Sequence, residues 1–283
     1  MNYIFMRFPD GKARAFTLSY DDACRFDPKF SDIITSYGLK CTFNVNSNGE
    51  GNYGCTVDKI REYALNRGHE IAIHGYAHKA LGLTRPFEGI VDVLDSRRKL
   101  ESDFDMIVRG MAYADSGINR FTNTSSYEKV RSYLESLGVK YARVTKCDET
   151  DLFMLPEDFY YWMPTCHHSD EKLFEKFEKF MAFDLENSYC AGLYPRVFYV
   201  WGHSYEFEGN NNWELLTKIC EKVSGHDNIW YATNGEIYDY VKAYESLEFS
   251  LDMKTVYNPT LFEIFFVVDK TPYSIKPGET LKL

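Results

Sequence analysis

Three short segments of the sequence carry side chains suited to binding a metal ion and transferring protons. Asp21 and Asp22 are neighbours in SYDDA, and because neighbours on a regular strand point to opposite faces, both can serve one site only where the strand ends and the chain turns. His74 and His78 stand four residues apart in HGYAH, a spacing at which two imidazoles can converge on one ion. His203 follows the apolar run VFYVWG, where an imidazole could give up a proton near neutral pH.

Each of these segments also has an ordinary explanation when it is taken alone. The aspartates could be solvated turn residues, the histidine pair could be a coincidence of spacing, and His203 could be a packed histidine. The combination is more informative, because all three segments fall at the same ends of predicted strands. In parallel α/β folds, catalytic groups collect at the carboxyl ends of the strands.

The elements that position these segments alternate along the chain. Apolar, β-rich stretches recur between segments with helical periodicity and capping signals, about seven times in all. This alternation predicts an α/β fold with parallel strands and crossover helices, either a barrel or a wound sheet. Strands are predicted at 1–8, 13–19, 41–45, 70–74, 107–111, 141–144, 197–201 and 229–231. Helices are predicted at 28–37, 56–66, 85–105, 125–138, 169–185, 212–223 and 235–244, with an irregular region at 146–168.

The composition changes after residue 245, where short apolar runs alternate with the turn signals Asn258-Pro259 and Pro277-Gly278. We therefore expect a catalytic domain at 1–246 and a small all-β appendage at 247–283. The role of the appendage, whether sugar binding, a dimer contact or simple packing, is open at this stage.

The bulk properties of the chain exclude several classes of function. A formal net charge of -10 disfavours nucleic acid as a partner. No apolar stretch reaches the roughly 20 residues of a membrane span, and the amino-terminal residues lack the layout of a signal peptide, so we expect a cytoplasmic enzyme. The seven cysteines are scattered without a C-x-x-C pair, which disfavours a cysteine-based zinc site.

In this order, the three segments resemble the polysaccharide deacetylase family, the NodB homology domain of carbohydrate esterase family 4. SYDDA is similar to its first motif, usually T-F-D-D-G, and HGYAH to its second, H-[ST]-x-x-H. VFYVWGHSYEF is similar to its last motif, a hydrophobic strand that ends in histidine. The resemblance covers about residues 13–240 and implies a distorted (β/α) barrel.

The resemblance also implies the roles of individual residues. Asp22, His74 and His78 would hold a divalent metal ion, usually zinc, with Asp21 as the catalytic base and His203 as the catalytic acid. The family's third motif, usually R-x-P-Y-G, has its nearest counterpart in RGMAYADSG at 109–117. From this stretch we expect Arg109 to orient the base and Tyr113 to line the oxyanion site. Gly75 stands where the family usually has Ser or Thr.

The expected activity is removal of acetyl groups, N-acetyl groups above all, from an acetylated carbohydrate. The fourth motif of the family, an Asp-Trp substrate pair, has no clear counterpart, which keeps two alternatives open. One is hydrolysis of another non-peptide carbon–nitrogen bond, such as that of a cyclic ureide. The other is a non-catalytic carbohydrate-binding protein on the same scaffold. His167-His168 is a further histidine pair, which we interpret as surface or loop residues because adjacent residues rarely bind one ion.

Overall fold

A computed structural model describes residues 3–48, 54–147, 152–184 and 194–283. The strands are β1 (Ile4–Arg7), β2 (Arg14–Asp21), β3 (Cys41–Val45), β4 (Glu70–Ile73), β5 (Gly110–Ala112), β6 (Tyr141–Arg143), β7 (Cys166–His167), β8 (Arg196–Gly202), β9 (Ile229–Tyr231), β10 (Glu248–Phe249), β11 (Thr255–Tyr257), β12 (Ile264–Val268), β13 (Thr271–Ile275) and β14 (Thr280–Lys282). The α-helices are α1 (Asp27–Ser36), α2 (Val57–Tyr63), α3 (Pro86–Phe104), α4 (Tyr127–Ser136), α5 (Leu173–Ala182), α6 (Ser204–Gly209), α7 (Trp213–Val223) and α8 (Asn234–Glu245).

The central sheet is parallel throughout and strongly curved. Its strand order is β6-β5-β4-β3-β2-β8-β7, and β9 pairs with the first half of β2. β2 therefore lies at the centre of the sheet. On one edge its second half pairs with β3, and on the other edge nearly its whole length pairs with β8. Parallel neighbours require crossover connections, which the helices supply. The prediction of an α/β fold of the distorted barrel type is confirmed.

Side chains of β2 alternate between two different environments. Phe16, Leu18 and Tyr20 lie in the large hydrophobic cluster that includes the inner faces of the helices. On the other face Thr17 Oγ1 donates to Asn234 Oδ1 at 2.8 Å, and Ser19 Oγ accepts from Asn44 Nδ2 at 2.7 Å. The period of two along a strand thus gives one apolar face and one polar face, and the polar face leads to Asp21.

The predicted elements of the barrel are present, with small shifts at their ends. The helix expected at 125–138 is α4, which Ser126 caps by accepting a hydrogen bond from Lys129 N. The helix expected at 169–185 is shorter, because α5 occupies Leu173–Ala182, and position 185 lies outside the described residues. The region expected to be irregular, 146–168, contains β7, while its residues 148–151 are also outside the described part.

The C-terminal residues form two small antiparallel sheets, β1-β12-β13 and β10-β11-β14. The first strand of the chain belongs to one of them, since Ile4–Arg7 pairs with β12 in the register Ile4 to Val268. Met6 and Phe8 share a buried cluster with Ile264, Phe266 and helix α8. The division into 1–246 and 247–283 stays a prediction, although this strand pairing ties the two parts together. In the ranges that the structure covers, we find no helix with the length and apolar character needed to cross a membrane.

His69 is expected to make the fold less stable in acid. Burial lowers its pKa from 6.5 to about 4, with smaller contributions from Arg67 and Lys40. The backbone N–H of Cys41 donates to His69 Nδ1 at 3.3 Å, which also favours the neutral ring. A lowered pKa contributes stability that is fully present above pH 6.5 and is lost as the pH falls through about 4.

The loss should reach about 3 kcal/mol near pH 4 if the unfolded chain has an ordinary histidine. Urea unfolding between pH 7 and pH 4, compared with the His69→Gln variant, measures it. The variant should show a shallower decline in the free energy of unfolding. Parallel curves for the two proteins would contradict the assignment.

Candidate active site

The two adjacent aspartates lie at the point where β2 ends. Asp21 is the last residue of the strand, and Asp22 has a φ of 81°, in the left-handed region that ends extended structure. Ala23 also has a positive φ, of 54°. The backbone N–H of Asp22 donates to Asn44 O at 3.0 Å, which holds this turn against the tip of β3. The turn brings both carboxylates to the same end of the sheet, as the sequence predicts.

His74 and His78 reach the same place from the tip of β4. His74 Nδ1 lies 3.0 Å from the carbonyl oxygen of Ala112, so this nitrogen carries the proton and Nε2 presents its lone pair. His74 Nε2 is 3.6 Å and His78 Nε2 is 3.4 Å from Asp22 Oδ1. His78 itself has a φ of 52°, which turns its ring back toward His74. The two imidazoles and the carboxylate therefore face one point.

The loop between the two histidines explains why glycine replaces the usual Ser or Thr. Gly75 has a φ of +81°, and a Cβ there would lie 2.8 Å from Asp92 Oδ2. Asp92 is buried and its other oxygen accepts from Ala77 N at 2.6 Å. The carboxylate of Asp92 thus occupies the space that a side chain at position 75 would need. It also holds the loop through the hydrogen bond that it accepts from Ala77 N.

Asp22, His74 and His78 fit a divalent metal ion. One ligand atom from each residue lies within 4.8 Å of the others. Burial lowers the pKa of His74, so its ring is neutral as a ligand must be. Burial alone would raise the pKa of Asp22, but the hydrogen bond with His78 and the other imidazoles around the carboxylate lower it. Two imidazoles and one carboxylate suit zinc and leave coordination positions open.

Two donors hold the carboxylate of Asp21. Arg143 Nη2 donates to Asp21 Oδ2 at 2.5 Å, and Asn44 Nδ2 donates to Oδ1 at 2.8 Å. Asp21 is 2% exposed and Arg143 is fully buried, so the ion pair is shielded from water. The guanidinium of Arg143 also lies over Trp201, 4.4 Å from the ring centroid. A buried carboxylate with two donors is fixed in orientation.

The structure gives Arg109 and Tyr113 partners other than Asp21. Arg109 precedes β5, at the opposite end of the parallel sheet from Asp21, and it forms a two-bond ion pair with Asp239 at 2.9 and 2.6 Å. Tyr113 follows β5 at the same end as Asp21, but it is buried and its hydroxyl donates to Tyr160 O at 2.9 Å. The arginine that contacts Asp21 is Arg143, which comes from β6.

His203 lies at the tip of β8, opposite the other two histidines. Its Nε2 is 3.9 Å from both Asp21 Oδ2 and Asp22 Oδ2, and its Nδ1 is 3.2 Å from Glu206 Oε1. Burial would lower the pKa of His203, but Glu206, Asp21 and Asp22 outweigh it and raise the pKa. The ring is therefore protonated more readily than a free histidine, as a proton donor requires.

Sequence reasoning missed Arg143, Asn44 and Glu206. Arg143 and Asn44 are polar residues inside short, otherwise apolar strands, YAR and CTFNV. A polar residue in such a strand needs a buried partner, and this was the available signal. Glu206 follows His203 by three residues, a spacing at which helical side chains meet, so it could also have been predicted.

A cavity of about 290 Å³ opens beside Asp22 and His78. Its walls are largely apolar and come from β3 and from helices α2 and α3. The rings of Trp201 and Tyr205 flank His203 on another side, with centroids 5.8 and 4.9 Å from its own. Such surfaces next to the ionisable cluster can receive the parts of a substrate that do not react.

Comparison with known proteins shows what this chain resembles. Residues 9–142 match the polysaccharide deacetylase family. No curated protein matches the sequence. The resemblance to this family that the motifs indicate is confirmed.

Solved structures share this fold at low sequence identity. A protein from Mycobacterium smegmatis assigned as a polysaccharide deacetylase is 15% identical, with a TM-score of 0.59, over 87% of this chain and 96% of that one. The allantoinase Puue is 14% identical, with a TM-score of 0.55, over 82% and 91%. A Streptococcus pyogenes deacetylase in complex with acetate is 18% identical, with a TM-score of 0.40, and the match spans 46% of this chain and 55% of that one.

Proposed function

We propose that this protein is a metal-dependent hydrolase that removes acetyl groups from a carbohydrate, with N-acetyl groups as the main substrate. The observation that carries the proposal is the convergence of Asp22, His74 and His78 on one point, with Asp21 and His203 beside it. This is the constellation that amide hydrolysis needs: an ion site, a base and an acid. The match of residues 9–142 to the deacetylase family supports the choice of an acetyl group.

Asp21 acts as the general base. Arg143 and Asn44 hold its two oxygens, so the carboxylate cannot rotate away from the site. Its Oδ2 is 3.8 Å from His74 Nε2, which places the base at the edge of the ligand set. There it can accept a proton from the attacking water. A divalent ion held by Asp22, His74 and His78 would polarise the acyl carbonyl and lower the pKa of the attacking water.

His203 acts as the general acid. Its Nδ1 faces the Glu206 carboxylate, which holds the ring and leaves Nε2 to face Asp21 and Asp22. The amine of an amide substrate is a poor leaving group unless it is protonated, and Nε2 is placed to donate that proton. The rings of Trp201 and Tyr205 beside His203 offer apolar faces for a sugar ring.

The zinc content of the purified chain and its release of acetate test the proposal together. Acetate is measured over a panel of N- and O-acetylated sugars, with the wild type compared with His78→Asn. Asparagine tolerates the positive φ at this position, so the loop should keep its conformation. Loss of a direct ligand should weaken zinc binding at this site by at least about 100-fold and abolish acetate release. Acetate release by zinc-free protein would refute the metal dependence.

A second candidate is hydrolysis of another non-peptide carbon–nitrogen bond. The similarity in fold to an allantoinase and the displaced position of the arginine support including cyclic ureides in the panel. Release of ammonia or a ureide without acetate would favour this activity. Sugar binding with zinc present and no turnover of any substrate would instead favour a non-catalytic binding protein.

A further inference from the structure

A pair of neighbouring histidines lies close to the carboxylate that holds His203. His167 is the last residue of β7, which runs beside β8, and His168 follows it directly. The sequence suggested surface or loop residues, but His168 is only 3% exposed. His167 Nε2 lies 3.1 Å and His168 Nε2 lies 3.0 Å from Glu206 Oε2. Both rings therefore belong to the surroundings of Glu206.

Close packing restricts the ring of His168. The ring stacks on Phe207 and on Tyr20, with centroids 4.2 and 5.7 Å from its own. Gly202 leaves room for the edge of the ring, because a Cβ there would lie 1.9 Å from His168 Nδ1. A ring confined in this way has little freedom to rotate, so the direction of its Nε2 is set by the packing.

The proton of His168 is on the nitrogen that faces Glu206. Burial lowers the pKa of His168, so the ring is neutral and carries a single proton. A lone pair on Nε2 would repel the carboxylate oxygen at 3.0 Å, which places the proton there. The other nitrogen, Nδ1, then accepts from Tyr20 OH at 3.2 Å. His168 thus presents an N–H donor to Glu206.

His167 presents a second donor to the same oxygen. The backbone N–H of Ser169 donates to His167 Nδ1 at 3.2 Å, so the proton of the ring is on Nε2. Glu206 Oε2 is buried and has no other donor in the part of the chain that the structure describes. Burial alone would raise the pKa of Glu206, but hydrogen bonding with His167, His168 and His203 lowers it far below its usual range. The carboxylate is therefore an anion that is held from the side of β7.

We propose that His167 and His168 are positioning residues for the catalytic acid and act through Glu206. They orient the carboxylate, whose Oε1 lies 3.2 Å from His203 Nδ1 and holds that N–H. Nε2 of His203 is thereby directed toward the leaving group, to which it passes its proton as the carbon–nitrogen bond breaks. The inference rests on the proposed function, since it takes His203 as the acid. Without these donors the carboxylate can turn, and the acid loses its alignment.

The dependence of the rate on the leaving group tests this proposal. His168→Phe keeps a ring at this position but removes the donor, whereas His168→Gln keeps an N–H donor. Acetate release is measured on an N-acetylated sugar, whose amine must be protonated, and on para-nitrophenyl acetate, whose phenolate leaves without a proton. His168→Phe should lower kcat on the amide by at least about 10-fold and on the ester by less than about 2-fold, because only the amide needs the acid. His168→Gln should recover most of the amide rate.

Two further variants complete the comparison. His167→Ala, at a partly exposed position, should show the same selective loss on the amide and serves in case His168→Phe perturbs the fold. His226→Phe is the control, because this histidine precedes β9 at the opposite end of the sheet and its ring contacts Lys222 O. It should leave both rates unchanged. Equal losses on the amide and the ester in His168→Phe and His167→Ala, or wild-type amide rates in both, would overturn the proposal.

A spectroscopic measurement separates this proposal from the proposed function. The Nδ1 proton of His203, when bound to a carboxylate, gives a low-field proton resonance, which is assigned by its absence in His203→Gln. The resonance should be lost or shifted in His168→Phe and kept in His168→Gln. An unchanged resonance in His168→Phe would overturn the proposal. A change in the resonance, in a chain whose wild type releases no acetate from either substrate, would refute the proposed function and still support the role of His168 in holding His203.

Discussion

Replacing Asp21 with Asn should reduce kcat for deacetylation by roughly 10²–10⁴-fold, the usual contribution of a general base. Asparagine has nearly the same shape, but its amide cannot accept a proton from water. Asp21 is not among the three ligand-set residues, since its Oδ2 contacts Arg143 and its Oδ1 contacts Asn44. The zinc content should therefore stay at the wild-type value while turnover is lost, and the two measurements are made on the same preparation.

The neighbouring residue gives the matched comparison. Asp22→Asn makes the same substitution at the next residue, whose carboxylate belongs to the ligand set. Asp22 Oδ1 lies 3.6 Å from His74 Nε2 and 3.4 Å from His78 Nε2. It should lower zinc affinity as well as activity, and added zinc should restore part of the rate. If Asp21→Asn keeps the wild-type rate, Asp21 is not the base. If it also loses zinc, the division of roles between the two aspartates is wrong.

Replacing Arg143 with Gln should reduce both stability and turnover. The guanidinium is fully buried against Asp21, which is 2% exposed, so its removal leaves a buried carboxylate without its charged partner. Breaking such a pair from one side costs about 3–5 kcal/mol. The carboxylate would also lose the charged donor that fixes its orientation for proton transfer. We expect kcat to fall at least about 100-fold, with a clear drop in the urea midpoint.

Two further variants separate charge from packing in this prediction. The double variant Asp21→Asn with Arg143→Gln removes both charges, so it should recover part of the stability that Arg143→Gln loses but none of the activity. Arg109→Gln is the control, because Arg109 pairs with Asp239 at the opposite end of the sheet and should leave kcat unchanged. A loss of activity in Arg109→Gln with none in Arg143→Gln would restore the assignment made from the sequence motif.

The parts of the site that the sequence predicted are those set by local chain geometry. Asp22, His74 and His203 each follow an apolar strand, and parallel strands bring their ends together without further information. Arg143 could not be found this way, since which of several arginines reaches Asp21 depends on the position of β6 in the barrel. Arg109 was chosen for its sequence context, but it precedes its strand and so lies at the wrong end.

The elements of the fold that were missed are short or depend on distant partners. Helix α6 has six residues and β7 has two, too few for a periodic pattern. His167 and His168 were set aside because adjacent side chains normally diverge, and only the end of β7 between them makes their rings converge on Glu206. The strand at the start of the chain was predicted, but its pairing with β12 was not, because nothing local specifies which strand it pairs with.

That pairing of Ile4–Arg7 with Ile264–Val268 has a consequence for how the chain acquires its fold during synthesis. The barrel strands and helices up to α8 can assemble as they leave the ribosome, but β1 must wait until residues near 268 have emerged. During this interval β1, which is apolar and mostly buried in the finished protein, exposes an unpaired edge. Molecules whose translation stops before β12 should therefore be the ones that chaperones bind and that aggregate.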